Sequence, residues 1–121
     1  MKRMKVVLSL AVVSLFAATA AVSRVSTAAE TKRGQSQVER GREVYRANCG
    51  RCHGADGAGH TRMAEIVEPP DMSDAAWQRK RSTSKMVASV SNGRGQMPAF
   101  KRKLSRQEIA AAIAYVRTLR R

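Results

Sequence analysis

Cys49-Gly50-Arg51-Cys52-His53 is the stretch on which the reading of this 121-residue chain turns. It has the C-x-x-C-H spacing of covalent haem attachment. The chemistry explains the spacing. Each thiol can add to one vinyl group of a haem, and the imidazole that follows is then held beneath the iron as an axial ligand. Two plainer readings compete. A C-x-x-C pair can be a thioredoxin-like redox couple, but no βαβ pattern surrounds this one. It can also be half of a zinc site, but no other cysteine is present and the other histidine is His60.

Upstream, the chain opens with a segment that reads as an export signal, 1–29. Lys2, Arg3 and Lys5 make a basic start, and Val6 to Val22 is apolar or small throughout. Small residues then offer cleavage points, after Ala29 by preference or near Ala18-Thr19-Ala20. The competing reading is an uncleaved anchor, although the apolar run lies at the short end of the roughly 17–25 residues that span a bilayer. Export implies a periplasmic protein, and retention of the segment implies a membrane-anchored one facing the same space. In an oxidising compartment a Cys49–Cys52 disulfide is the plain alternative to thioethers. The histidine directly after Cys52 favours haem.

Charge and composition narrow the function. Lys and Arg number 23 against 9 Asp and Glu, a formal net charge of +14. Removing Lys2, Arg3, Lys5 and Arg24 with the signal leaves 19 basic and 9 acidic residues, a net +10. In a cytosolic chain this balance would suggest nucleic acid. Outside the cytoplasm nucleic acid is a poor partner, and the stacking aromatics of single-strand binders are scarce at 4%. An acidic protein surface suits the charge better, with anionic lipid second. So few rings make a thin core for a short chain, and a buried porphyrin would supply the missing flat apolar mass.

Residues 30–35 are polar and read as a flexible leader, and a helix is expected from Ser36. Val38, Gly41, Tyr45 and Cys49 recur on roughly one face of it. Gly41 costs about 1 kcal/mol inside a helix, which suggests that another element packs closely there. Gly54 to His60 is a glycine-rich loop without a phosphate-binding pattern. Pro69-Pro70-Asp71-Met72 breaks the chain again, leaving carbonyls that could accept Nδ1–H of a metal-bound imidazole; an ordinary turn is the plain alternative. Asp74 is placed to cap a short helix carrying Trp77, whose indole is expected to be buried with its N–H paired, a haem propionate being one candidate partner.

A further helix is expected from Ser82 or Thr83 to Asn92, apolar through Met86, Val87 and Val90 and stopped by Gly93. Met97 stands in a loop directly before Pro98, which biases it away from helix and presents its thioether in one direction. A thioether is a good sixth ligand for haem iron. Met63, Met72 and His60 are rivals, His60 being only seven residues beyond His53. The last helix is the most legible. Ser105 and Glu108 form a capping box, and Ile109, Ala112, Ile113 and Val116 make one stripe, widened by Tyr115 and Leu119. Arg117, Arg120 and Arg121 sit in its final turns, where cations suit the helix dipole. No strand-like alternation of useful length is present.

Taken in order, Gly41-x-x-x-Tyr45-x-x-x-Cys49-x-x-Cys52-His53-Gly54, Asp56-Gly57-x-Gly59, Pro69-Pro70-Asp71-Met72, Asn92-Gly93, Met97-Pro98-Ala99-Phe100 and Leu104-Ser105-x-x-Glu108-Ile109 resemble a class I c-type cytochrome of the small, single-haem bacterial kind. The resemblance implies an all-α fold over 36–121, with three to five helices around one covalently attached haem c and the first and last helices crossing at Gly41. It implies thioethers at Cys49 and Cys52, axial ligation by His53 and Met97, and a carbonyl of Pro69 or Pro70 orienting His53. The function implied is one-electron transfer, with no catalysis of its own because both axial positions are filled. A dedicated cytochrome subunit of a dehydrogenase or oxidase complex, or a haem-based ligand sensor, are the alternatives. Arg46, Arg51, Lys101, Arg102 and Lys103 are expected to ring the exposed haem edge and steer acidic redox partners. A membrane is a partner only if the N-terminal segment stays uncleaved.

Overall fold

A computed structural model describes residues 28–121. The expected export segment therefore lies outside the described residues, except for its last two positions, which are helical. Backbone contacts divide the chain between Gln35 and Ser36, and the fold that follows is that of Ser36–Arg121.

Helix α1 runs over 28–48 in the described residues. The helix thus begins ahead of the expected start at Ser36 and includes 30–35, all of them exposed. The physical reason is that nothing stops the helix: Ala28, Ala29 and Glu30 are good helix formers, and Gly34 alone costs only about 1 kcal/mol. Five more segments follow: α2 (Gly50–His53), α3 (Ala64–Val67), α4 (Ala75–Lys80), α5 (Thr83–Asn92) and α6 (Arg106–Thr118). Of these six segments among the described residues, α2 and α3 are single turns, which leaves four longer helices, within the three to five expected. Among the described residues the backbone forms no strand, only an isolated bridge between Arg94 and Met97.

The caps are largely those the sequence announces. Ser82 accepts from Lys85 N–H at the start of α5, and Gly93 ends it at φ 76°. Ser105 and Glu108 form a reciprocal capping box on α6. Asp74 accepts from Trp77 N–H at the start of α4. Such caps satisfy backbone donors that a helix start leaves without partners.

Helices α1 and α6 cross at Gly41. An ideal Cβ built there would lie 1.9 Å from the carbonyl oxygen of Ala111, so only glycine admits the approach. One turn on, Tyr45 and Tyr115 meet with ring centroids 5.3 Å apart. Tyr45, Met72, Met86, Val90, Ile109, Ile113 and Val116 form the buried core. Each large side chain so buried contributes about 1.5–3 kcal/mol of transfer free energy. The apolar stripes of α5 and α6 thus do what their spacing predicts, and α1 is locked across α6 by a missing side chain.

Candidate haem site

The C-x-x-C-H motif sits directly on the end of α1. Cys49 N–H donates to Tyr45 O at 2.8 Å, and the N–H groups of Cys52 and His53 both return to Cys49 O. The motif is therefore one tight turn that sets both thiols and the imidazole at a helix end. Gly54 closes it, donating to Gly50 O at 2.8 Å and accepting from the buried Tyr45 hydroxyl at 2.7 Å. Burial chiefly pushes the Tyr45 phenol far above its ordinary range, so it remains a donor. The loop that follows is tied back by Gly59 N–H on His53 O and by Thr61 Oγ1 on Cys52 O.

Both cysteines are free thiols and half-buried. Burial, then the neighbouring Cys52, pushes the Cys49 thiol up to about 11, while the Lys103 ammonium pulls the other way. His53 is buried, and burial lowers its pKa, which favours the neutral imidazole that binds metals. Its Nδ1 is buried without a hydrogen-bond partner. The expected bond from Nδ1 to a carbonyl of Pro69 or Pro70 is thus not formed. The Pro69 carbonyl lies near Gly59, 3.6 Å from where a Cβ there would stand. A buried ring nitrogen with nothing to bond is costly, at roughly 1–3 kcal/mol, and calls for an explanation.

Met97 is presented by a braced loop. Arg94 and Met97 exchange two backbone hydrogen bonds of 3.0 Å each. Phe100 N–H and Lys101 N–H return to Val90 O and Ser91 O on the last turns of α5. Gly93 lets the chain turn so sharply that a Cβ there would stand 2.7 Å from Met97 O. Cys49, Trp77, Met97, Phe100 and Leu104, all half-buried, pack against the same apolar core. Met72, a rival ligand on sequence, is itself part of that core, and its N–H is bonded to Gly57 O. His60 is exposed on the loop.

Trp77 differs from expectation. It is half-buried, with the Arg81 guanidinium 5.8 Å over its ring, and its neighbour Gln78 is the buried residue of α4. Sequence reading missed Gln78 because a glutamine between Trp77 and Arg79 looks like surface. Arg46, Arg51, Lys101, Arg102 and Lys103 are all exposed.

Residues 36–116 match the family model described as cytochrome c oxidase, cbb3-type, subunit III. The chain belongs to this family of c-type cytochromes. Covalently bound haem c comes with that membership, and the free thiols and the buried, unpartnered imidazole of the C-x-x-C-H turn fit it. This cytochrome is 34% identical over 83 residues to the cbb3-type cytochrome c oxidase subunit FixP of Azorhizobium caulinodans, covering 68% of the chain and 27% of that protein. It is 37% identical over 76 residues to cytochrome c6 of Leptolyngbya boryana, covering 63% of the chain and 85% of that protein. The solved c-type cytochrome KustC0563 superposes with a TM-score of 0.64 at 32% identity, over 67% of the chain and 98% of that structure. The cytochrome thus spans about a quarter of the oxidase subunit and most of the c6 protein. Among the described residues, no helix is long and apolar enough to cross a membrane.

Proposed function

We propose that this cytochrome is an exported one-electron carrier whose haem is held by thioethers at Cys49 and Cys52, with His53 and Met97 as axial ligands. The observation that carries the reading is the joint placement of the motif turn and the Met97 loop on one apolar core. Haem held in this way supplies one-electron chemistry between Fe(III) and Fe(II). The chain's own contribution is to keep its donors still. The N–H groups of Cys52 and His53 share the Cys49 carbonyl, and Met97 is braced by paired bonds to Arg94 and by the anchoring of Phe100 on α5. His53 Nδ1 needs an acceptor once the other ring nitrogen is engaged, and the carbonyls of Pro69 and Pro70 are the candidates. Trp77 is a candidate haem contact. A braced Met97 also counts against a ligand sensor, which must release its sixth ligand.

The test is an optical spectrum of the matured protein, oxidised and reduced, with and without Met97→Ala. A haem c spectrum with a methionine–iron absorption band that disappears in the variant supports the assignment. A colourless polypeptide with the mass of the bare chain refutes it.

A second reading is favoured by the family model and the FixP and CcoP relatives: the cytochrome works as a subunit docked on an oxidase. Co-elution with an oxidase from native extract would select it over a free carrier. In either setting the exposed Arg46, Arg51, Lys101, Arg102 and Lys103 would steer an acidic redox partner to the haem edge. Electron-transfer rates that stay flat as salt rises would reject steering. The N-terminal mass of the protein recovered from the exported fraction tests whether residues 1–29 are removed.

A further inference from the structure

From the hydrogen bonds around α4, we propose that Gln78 and Arg117 form a latch that positions Trp77 against the haem; the inference rests on the haem reading above. Helix α4 has six residues, too few to hold itself in place. Its start is capped by Asp74. Its side and its end are held by α6. The buried Gln78 amide donates twice, to Met72 O and to Val116 O, each at 2.8 Å. Arg117 then closes the C-terminal end, donating to Gln78 O at 2.8 Å through one guanidinium nitrogen and to Arg81 O through the other. The Gln78 carbonyl at the helix end otherwise accepts only the long 3.4 Å bond from Arg81 N–H, and a rigid forked guanidinium is matched to two such carbonyls at once better than an ammonium.

The latch encloses Trp77 on the chain. Its neighbour Gln78 is tied to α6, and Arg81, one turn on, lays its own guanidinium over the indole while its carbonyl is gripped by Arg117. Gln78 also reaches toward the motif loop: it holds the carbonyl of Met72, whose N–H is bonded to Gly57 O four residues after His53. One buried amide therefore joins α6 to the Trp77 helix and to the loop that follows the C-x-x-C-H turn. A buried polar node fully satisfied in this way specifies one arrangement of the elements it joins. Gln78 and Arg117 are positioning residues, since they touch neither the thiols nor the axial donors.

The test compares the haem-bearing wild type with Gln78→Leu, which keeps volume but removes both bonds, and Arg117→Lys, which keeps the charge but not the fork. Haem quenches the emission of a nearby indole, so fluorescence reports Trp77 directly. Expected in both variants are a several-fold rise in emission and a lower reduction potential, as water gains access to the haem edge. The expected loss in the equilibrium constant for reduction is about threefold, which is roughly 28 mV at about 59 mV per tenfold for one electron. Ser105→Ala, which removes the cap of α6 and lies outside the apolar core, serves as the control for lost stability and should leave both readings at wild-type values. If Gln78→Leu does not accumulate, Arg117→Lys decides alone. Variants that melt earlier but keep wild-type emission and potential would overturn the latch, as would equal shifts in Ser105→Ala. A wild type without haem would overturn the haem reading and the latch together, whereas failure of the latch alone leaves the haem spectrum intact.

Discussion

Replacing Gly41 with alanine asks α6 to move. The added methyl would stand 1.9 Å from Ala111 O, 2.5 Å from Ala111 C and 3.1 Å from Ala112 N. Ordinary contact begins at 3.4 Å, so the α6 backbone must retreat by about 1.5 Å at that point. The obstacle is main chain on a helix, so no side-chain rotation can relieve it. Retreat would open the packing of Tyr45 and Ile109, which are 1% and 2% exposed, and separate Tyr45 from Tyr115. Overpacking of this kind costs about 1–3 kcal/mol, and a backbone clash belongs at or above the upper end. Alanine returns about 1 kcal/mol of helix propensity, leaving a net loss of about 2–3 kcal/mol. For a domain of this size that corresponds to a fall in melting temperature of roughly 10–20 °C. The assay is thermal unfolding of the matured protein followed by far-UV circular dichroism. Gly34→Ala is the internal control, because a Cβ at Gly34 meets nothing within 4 Å and should leave or slightly raise the midpoint. If Gly41→Ala melts within about 4 °C of wild type, the helix crossing is not as drawn and the reasoning fails.

Three further outcomes follow from the same geometry. Gly93→Ala places a Cβ at a φ of 76° and 2.7 Å from Met97 O, so it should weaken the methionine–iron band while leaving haem attached; an unchanged band would contradict the braced loop. Glu68, in the left-handed region at φ 46° at the C-cap of α3, is strained, and Glu68→Gly should stabilise by about 1 kcal/mol in denaturant unfolding. Hydrogen bonds from Ser105, backbone first, hold the Glu108 carboxyl below its ordinary 4.5. A depressed folded value means that the capping box stabilises above the unfolded value and is lost as pH falls through the folded one. Glu108→Gln should therefore flatten the acid limb of the melting-temperature profile, and identical limbs in both proteins would show that the box contributes nothing.

Several parts of this cytochrome could be read directly from the chain, each for a local reason. The capping box of Ser105 and Glu108, the cap at Ser82 and the stop at Gly93 depend on residues within one turn, so spacing suffices to find them. The stripe of Ile109, Ala112, Ile113 and Val116 is legible for the same reason. Other readings failed where the deciding neighbour is distant in sequence. Trp77 was expected to be buried as the apolar residue of α4, but Gln78 took the interior because carbonyls from Met72 and from Val116, 38 residues away, were waiting for its amide. Arg117 was read as a cation suited to a helix dipole, and it is in fact a clamp across to α4.

What the amino-acid order decided by itself was the chemistry: two thiols and an imidazole in one helical turn, and a methionine set in a loop by a proline. These are contacts between near neighbours, and covalent geometry alone brings them about. What only the folded molecule decided was where two of the rival methionines sit. Met72 is sealed in the core and Met97 is held on the α5 loop, because helix packing spends one side chain as filler and leaves the other at the edge of the apolar cluster. The close crossing at Gly41 belongs to the same class: the sequence marks a glycine, and only the arrival of Ala111 from the far end of the chain shows why it must be one.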